Sequence, residues 1–156
     1  MPRMLAPDIS TWPDDDPQLI GSRCSDCGAT TFPSQALCPR CSGTAMSDLL
    51  LPRRGTLVAW TTQGFLPGPP YAGSETADTF EPFGMGLVQL DDVIKVEGRL
   101  TEGDPEKLRF GMEVELTMRP LYTDDDGDEV LMYAFAPVPA ADGARSAADG
   151  PERTDA

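Results

Sequence analysis

The chain has 156 residues, of which 40% are hydrophobic, and its formal net charge is −14. This length fits one compact domain, or a small module beside a domain of about 100 residues. The sequence contains no histidine, which excludes Ser-His-Asp and Cys-His nucleophiles and a histidine general base. The negative charge opposes binding to phosphate backbones and anionic membranes, so we expect neither nucleic acid nor a membrane as a partner.

The expected location follows from the apolar segments. No run of about 18 apolar residues is present that could span a bilayer. The opening stretch "MPRMLAPDISTWPDDD" also lacks the apolar core of a secretory signal. We therefore expect a cytoplasmic protein. Because cytosolic thiols are kept reduced, a disulfide scaffold is disfavoured for the four cysteines.

Residues 1–20 predict an N-terminal arm. They contain four prolines and the acidic run 14–16, which favour an irregular segment with at most one helical turn. A solvated tail is the alternative interpretation. Trp12 argues against it, because a large aromatic side chain in a polar stretch usually docks on the rest of the protein.

All four cysteines lie in two Cys-x-x-Cys pairs that ten residues separate. A two-residue spacer lets both sulfurs of a pair reach one ion, and the connection is long enough for a hairpin that brings the pairs together. We predict a rubredoxin-like zinc ribbon over residues 21–48. One structural zinc per chain is expected, because four thiolates leave no open position on the metal. The predicted ligands are Cys24, Cys27, Cys38 and Cys41.

Two other uses of these cysteines stay open. A mononuclear iron centre takes the same four-thiolate geometry. Redox-active disulfides are less favoured, because no thioredoxin-like βαβ pattern surrounds the pairs. Gly28 and Gly43, which follow the two pairs, suit the tight turns that such ligands need.

Residues 49–138 predict a mainly β domain. Apolar and polar residues alternate through its later segments, which is typical of half-buried antiparallel strands. A short helix, capped by Asp104 and ended by Gly111, is expected between the third and fourth strands. This is the order of an OB-fold barrel, although a five-stranded sandwich would give a similar pattern. Strands are predicted at 55–63, 84–90, 93–100, 112–119 and 129–137.

Two segments interrupt or follow this domain. Residues 139–156 hold no large apolar residue and predict a disordered tail. Residues 64–84 form a long insertion, and loops beyond about 12–15 residues are usually functional or disordered. Its apolar content argues against disorder, so we predict partner or substrate contacts, with a loop folded back over the barrel as the alternative. The candidate contacts are Phe65, Tyr71, Phe80 and Phe83.

Four short motifs follow one another in the order of a known family. They are "GSRCSDCGATTFP" at 21–33, "RGTL" at 54–57, "GRL" at 98–100 and "DPEKLRFGM" at 104–112. Over residues 21–138 the chain resembles the zinc-ribbon plus OB-fold acyl-CoA-associated family, long filed as a domain of unknown function. The resemblance implies a non-catalytic accessory subunit. Such a subunit docks on a thiolase-superfamily enzyme, a thiolase or a retro-aldolase, and supports its stability, activity or acyl-CoA tunnel.

The resemblance also implies a hetero-oligomer with acyl-CoA at the shared interface. The long loop is most similar to members tied to the degradation of steroid side chains or aromatic acyl-CoA compounds. Arg53 and Arg54 are candidates for contact with a CoA phosphate, or for packing the ribbon on the barrel. Many members begin with a fuller helical segment that carries several aromatic residues, whereas Trp12 is the only one here.

Two other classes of function remain open. The first is a free-standing acyl-CoA binding or carrier protein. The second is a nucleic-acid-binding OB protein, which is disfavoured because residues 55–138 hold sixteen acidic side chains against five basic ones. The chain alone is not expected to be an enzyme, since its cysteines are assigned to a metal and no histidine is present to assist one of them.

Overall fold

The computed structural model describes residues 1–139 of the chain. Apart from Pro139, the predicted C-terminal tail therefore lies outside the described residues. One 3-10 turn, at Pro7–Ile9, is the only helical element in this part. No helix within it is long and apolar enough to cross a membrane. The strands are β1 (Arg3–Met4), β2 (Ile20–Cys24), β3 (Thr30–Thr31), β4 (Met46–Leu50), β5 (Arg54–Gln63), β6 (Phe83–Leu90), β7 (Ile94–Leu100), β8 (Glu113–Thr123) and β9 (Glu129–Pro137).

Strands β5 to β9 close into a five-stranded barrel, which confirms the predicted OB-fold class. Around the barrel the order is β9-β7-β6-β5-β8, and β8 pairs with β9 to close it. The pairing of β7 with β9 is parallel and covers only Arg99 with Ala134 and Leu100 with Phe135. The other pairings are antiparallel. Because the sheet closes on itself, the alternative of an open sandwich is excluded.

The barrel interior is filled by the residues that sequence alternation assigns to one face. In β8, Val114 and Leu116 are buried, whereas Glu113 is exposed. In β7, Val96 and Leu100 are buried. Each such side chain contributes about 1.5–3 kcal/mol when it leaves water, so this core is the main source of stability. It comprises Leu19, Leu51, Leu57, Val88, Leu90, Val96, Leu100, Leu108, Val114, Leu116 and Phe135.

A single turn, and not the predicted short helix, joins β7 to β8. The N–H of Lys107 donates to the carbonyl of Asp104 at 3.0 Å. The helix prediction was wrong because the end of this segment bonds to the barrel and not to its own preceding turn: the N–H of Gly111 donates to the carbonyl of Leu57 in β5 at 2.8 Å. Leu108 from this turn is 4% exposed and enters the core. The turn therefore plugs one end of the barrel.

The N-terminal arm lies along the barrel. β1 pairs in parallel with β9, with Arg3 opposite Val130 and Met4 opposite Leu131. It occupies the part of β9 that β7 does not reach, and Met4 is only 5% exposed there. Trp12, which we expected to dock, is half-buried. The arm is thus part of the folded barrel.

A second sheet, with the order β3-β2-β4, carries the cysteine pairs. Its pairings are antiparallel. Leu19 precedes β2 and Leu51 follows β4, and both join the barrel core. The N–H of Leu51 donates to the carbonyl of Leu19 at 2.9 Å. The ribbon therefore stands on the barrel through a shared apolar base, which fixes the position of the cysteine cluster.

Candidate metal centre and partner surface

The first cysteine pair forms a tight turn that backbone hydrogen bonds define. The N–H of Gly28 donates to the carbonyl of Cys24, and the N–H of Cys24 donates to the carbonyl of Ala29, each at 2.9 Å. Gly28 has a φ of 73°, in the left-handed region that glycine adopts without a steric penalty. This turn is the predicted role of Gly28.

The second pair repeats the turn with different residues. The N–H of Ser42 donates to the carbonyl of Cys38 at 2.8 Å, and the N–H of Cys38 donates to the carbonyl of Gly43 at 2.9 Å. Ser42, with a φ of 60°, takes the left-handed position that we had expected of Gly43. At Gly43 a Cβ would lie 2.9 Å from Asp26 Oδ2 and 3.3 Å from the Sγ of Cys41, so a side chain there would crowd a predicted ligand.

The two turns bring the four predicted ligand sulfurs together. The Sγ atoms of Cys24 and Cys41 are 3.7 Å apart, and those of Cys27 and Cys38 are 3.5 Å apart. All four lie within 4.8 Å of one another. A tetrahedral ion with metal–sulfur bonds of about 2.3 Å has sulfur–sulfur edges of about 3.8 Å. The cluster therefore fits one four-coordinate metal ion.

The electrostatics of the cluster also favour a cation. The backbone amide of Cys41, followed by that of Arg40, lowers the pKa of Cys38 to about 6. The amide of Gly43 lowers the pKa of Cys41, but the neighbouring cysteine sulfurs outweigh it and raise that pKa to about 12. A divalent ion removes this repulsion between thiolates. Cys24 and Cys38 are buried, Cys27 is half-buried and Cys41 is exposed, so the centre lies close to the surface.

The side chain of Arg53, which lies between β4 and β5, connects the arm to the barrel. Its Nη1 donates to the carbonyl of Pro17 at 2.8 Å, and its Nη2 donates to the carbonyl of Leu116 at 3.3 Å. The side chain is 25% exposed, and it also lies 3.5 Å from a carboxylate oxygen of Glu115. These contacts hold the end of the arm against the barrel, and none of them is made with the ribbon.

Arg54 is the first residue of β5 and follows Arg53 directly. Its side chain is 60% exposed and pairs with Glu113 and Glu115, at 3.3 Å in both cases. It lines a shallow depression that also contains Asp91 and Asp92. A phosphate group would meet these carboxylates first, so the surroundings of Arg54 are unlike those of a typical phosphate site.

The long loop 64–84 folds against the barrel wall. The rings of Phe80 and Phe83 meet edge to face, with centroids 5.9 Å apart. The hydroxyl of Tyr71 donates to Glu75 at 3.3 Å, and burial, followed by the charge of Glu75, raises the pKa of Tyr71. Phe65, in contrast, is 73% exposed. Three of the four predicted contact residues thus shape the loop, and Phe65 points into solvent.

A cleft of about 1200 Å³ separates this loop from the outer faces of β7, β8 and β9. Of the predicted contact residues, Tyr71 and Phe83 line it, whereas Phe65 and Phe80 do not. Leu5 of the arm forms part of its far wall. The structure therefore brings the arm, the loop and the barrel together at one surface.

Two family models match the chain. A model described as the ChsH2 rubredoxin-like zinc ribbon domain matches residues 11–47. A model described as the ChsH2 C-terminal OB-fold domain matches residues 50–119. Together they cover the ribbon and most of the barrel in the order that the structure shows.

Comparison with curated proteins gives the family. A DUF35 domain-containing scaffold protein from Pyrococcus furiosus is 32% identical over 122 residues, which are 78% of this chain and 84% of that protein. The chain belongs to the DUF35 family. The family resemblance that the sequence motifs indicated is confirmed. Another relative of this DUF35 protein is the benzoylsuccinyl-CoA thiolase subunit BbsA from Thauera aromatica, 32% identical over 134 residues, which are 85% of this chain and 86% of BbsA.

A solved structure supports the fold of this DUF35 protein. A chain of the Ltp2-ChsH2(DUF35) aldolase superposes with a TM-score of 0.56 at 22% sequence identity. The match covers 77% of this chain and 84% of that chain. At this level of identity the likeness shows a shared architecture of ribbon and barrel.

The two basic residues of the DUF35 protein's cleft were not among the predicted site residues. Arg99 of β7 and Arg119 of β8 both line it. Strand alternation does place both side chains on the outward face of the barrel. Nothing local in the sequence shows that the loop would fold over that face, so the signal was too weak to select them.

Proposed function

We propose that this DUF35 protein is a non-catalytic subunit that binds a thiolase-superfamily enzyme in a hetero-oligomer. The observation that carries the proposal is its similarity to BbsA. That protein is named as a thiolase subunit, and the match covers 86% of its length. Because almost the whole of BbsA has a counterpart here, the same kind of assembly is the simplest role for this chain.

The side chains of the protein support binding rather than catalysis. Thiolase chemistry needs a cysteine nucleophile or a well-placed base. All four cysteines converge on one point, and the sequence holds no histidine. The catalytic groups then belong to the partner enzyme, and this chain supports that enzyme's stability or activity.

The loop 64–84 and the barrel wall beside it supply a docking surface. Phe65 is 73% exposed, so its ring is free to enter an apolar pocket on the partner. Phe83 and Phe80 pack on each other and hold the loop in shape. In this arrangement Phe65 is the direct contact, and the other aromatic residues present it.

One zinc ion per chain, bound by Cys24, Cys27, Cys38 and Cys41, has a structural role in this proposal. The family model that matches here is described as a zinc ribbon, and the sulfur geometry accepts a tetrahedral ion. When bound, the zinc links the two turns of the ribbon. The chain's own backbone amides orient the sulfurs, and the shared base at Leu19 and Leu51 transmits that order to the barrel.

The substrate of the complex in this proposal is a bulky acyl-CoA, aromatic or from a steroid side chain, at the interface with the partner. BbsA is named for an aromatic acyl-CoA thiolase, which supports the aromatic class. The arm and loop border a cleft of about 1200 Å³, so this chain has room to cover part of a bulky ligand. We place the complex in the cytoplasm.

Co-expression tests the proposal. The chain, tagged, is produced together with each thiolase-like enzyme of its host, and the purified material is analysed by size exclusion and by thiolytic or retro-aldol turnover. A stable complex with higher turnover than the enzyme alone is expected. An enzyme that elutes separately and works equally well without this chain contradicts the proposal.

The second candidate is a free-standing acyl-CoA binding or carrier protein. The cleft, with Arg99 and Arg119 among apolar side chains, is the observation that favours it. Calorimetry of the isolated chain with benzoyl-CoA and with free CoA separates the two candidates. Micromolar binding without any enzyme present favours the carrier, whereas binding that requires the enzyme favours the subunit.

A further inference from the structure

Arg99 differs from the other cations of the protein in its surroundings. Its guanidinium carbon lies 4.0 Å from the centroid of the Phe83 ring. The ion pairs within residues 1–139 are made by the N-terminus, Arg3, Arg53, Arg54 and Lys107, and none involves Arg99. Arg99 is half-buried, whereas the other basic side chains without an ion pair in that part of the chain are exposed. These are Arg23, Arg40, Lys95, Arg109 and Arg119.

This position suits Arg99 to bind a carboxylate. Stacking on Phe83 holds the guanidinium in place and removes part of its hydration. Its planar fork then offers two parallel N–H donors to one carboxylate. The chain has 26 acidic and 12 basic side chains. Arg99 makes no ion pair within residues 1–139; its polar neighbour is the hydroxyl of Tyr71, which itself donates to Glu75. Its guanidinium therefore still has donors for a carboxylate from outside the chain.

The rest of the cleft limits what that anion can be. Glu81 and Glu97 also line it, and Arg119 lies on its far side. A run of acidic residues would be repelled by the two glutamates. A single carboxylate placed over Arg99, with apolar groups on either side, meets no such conflict.

The apolar lining extends beyond a small-molecule pocket. Leu5 and Met132 line the cleft and are 38% and 39% exposed. Gln63, also in the lining, donates to the carbonyl of Phe65 at 2.6 Å, so the 73% exposed Phe65 adjoins the rim. Pockets for small ligands usually measure about 300–1000 Å³ and enclose the ligand. This open cleft of about 1200 Å³, with an apolar rim, is better matched to a protein segment.

We propose that the cleft binds a segment of the partner enzyme in which one aspartate or glutamate, flanked by apolar side chains, pairs with Arg99. The proposal rests on the proposed function, because it names the part of the subunit interface that makes this contact. It assigns Arg99 the role of the central charged contact, with Leu5 and Met132 in the same lining and Phe65 beside the rim.

The test compares two cations on one strand. Arg99→Met keeps an unbranched apolar side chain and removes the charge, and Lys95→Met does the same at an exposed position of β7 that does not line the cleft. The Kd of each full-length variant for the thiolase-like enzyme that co-purifies with the parent chain is measured by calorimetry. Arg99→Met is expected to weaken binding by roughly thirtyfold to several thousandfold, as for loss of one partner of a desolvated charge pair. Lys95→Met is expected to stay within about twofold of the parent.

A third variant protects the result against a folding defect. Arg99→Lys retains the charge but loses the fork, and we expect an intermediate Kd with an unchanged melting temperature and metal content. Equal effects of Arg99→Met and Lys95→Met would indicate a general charge effect and overturn the proposal.

The outcomes also separate this inference from the proposed function. If no complex forms with the unaltered chain, both fail. If the complex forms and Arg99→Met binds as tightly as the parent, only this inference fails. Arg99-dependent binding of decanoate or benzoyl-CoA by the isolated chain, with no change in the Kd for the enzyme, would assign the cleft to a small molecule and also overturn it.

Discussion

Phe32 of the ribbon packs edge-on against Tyr133 of the barrel, with ring centroids 5.7 Å apart and an interplanar angle of 86°. Tyr133 lies 6.2 Å from the ring of Phe135, which is fully buried in the core. The hydroxyl of Tyr133 donates to the carbonyl of Glu97 at 2.8 Å. Burial, followed by the charge of Glu97, raises the pKa of Tyr133. Three rings in succession thus connect the ribbon to the barrel interior.

Phe32→Ala should loosen the ribbon without removing its metal. We expect a loss of about 1–3 kcal/mol, below the 3–5 typical of a fully buried phenylalanine, because Phe32 is half-buried. Tyr133→Phe keeps the ring and should cost only about 0.5–1.5 kcal/mol for the lost hydrogen bond. Urea unfolding measures both. An unchanged midpoint for Phe32→Ala would show that the ring contact does not couple the two parts.

Replacement of a cysteine should unfold the ribbon and leave much of the barrel. Cys38→Ser removes one of four sulfurs that lie within 4.8 Å of one another, and a structural zinc site loses most of its affinity with three ligands. Native mass spectrometry is expected to show one zinc in the parent and none in the variant, while the β signal in circular dichroism largely persists. Ser25→Ala, in the same turn as Cys24 and Cys27, is the control and should keep the metal. Iron or two disulfides in the parent would contradict the assignment.

Removing the glycine from the first cysteine turn and introducing one into the second should change the free energy of unfolding in opposite directions. Gly28 has a φ of 73° and Ser42 a φ of 60° at equivalent positions. A non-glycine residue in this region costs about 1–2 kcal/mol. Gly28→Ala should therefore lower the free energy of unfolding, although a Cβ there meets no atom within 4 Å, and Ser42→Gly should raise it by about 1 kcal/mol. Chelator competition and thermal unfolding check both, and changes of the same sign would refute the equivalence.

Local patterns predicted much of this fold. The strands β5, β6 and β7 begin and end within one residue of the predicted segments, because alternation and turn residues act over short distances. β8 runs on to Thr123, past Pro120, because a bulge there keeps the strand paired with β9. β1 was not predicted, because a strand of two residues has no recognisable alternation in the sequence and is defined only by its pairing with β9.

The candidate sites also differ in how far the sequence predicts them. The cysteine cluster was predictable from spacing alone, because each pair forms its own turn. The cleft was not, because it depends on where a loop of irregular backbone comes to rest against three strands. Arg99 is thus an ordinary outward residue in the sequence, and only the ring of Phe83 in the folded chain distinguishes it.

Acid should weaken the turn between β8 and β9 through Asp124. The N–H of Asp128 donates to Oδ1 of this carboxylate at 2.9 Å, and Arg3 lies 3.1 Å from Oδ2. The Asp128 amide and then Arg3 lower the pKa of Asp124 in spite of some desolvation. A depressed folded pKa stabilises the protein above the ordinary value of about 3.9 and ceases to do so as the pH falls through the folded value.

Asp124→Asn tests that contribution. The variant should melt below the parent at pH 6, and the difference should narrow as the pH falls below about 4. The neighbouring exposed Asp125→Asn serves as the control and should follow the parent throughout. A constant difference between Asp124→Asn and the parent from pH 6 to pH 3 would show that ionisation of Asp124 does not matter.

Two equally exposed phenylalanines offer a matched test of the docking surface. Phe65 is 73% exposed beside the cleft, and Phe110 is 74% exposed in the turn between β7 and β8. Phe65→Ser should weaken the complex with the thiolase-like enzyme at least tenfold, about 1.4 kcal/mol. Phe110→Ser should leave it intact, and both chains alone should keep their melting temperatures. A larger effect of Phe110→Ser would move the interface to the other end of the barrel.

The pairing of β1 with β9 sets an order for folding during synthesis. The cysteine turns and their three strands lie within residues 20–50, so this part can fold and take up its metal soon after it leaves the ribosome. Arg3 and its partner Asp124 are separated by 121 positions, and such distant contacts form late because a long loop must close first. The arm therefore has no edge to pair with until β9 has emerged. The arm is therefore among the last segments of the barrel to reach its folded position.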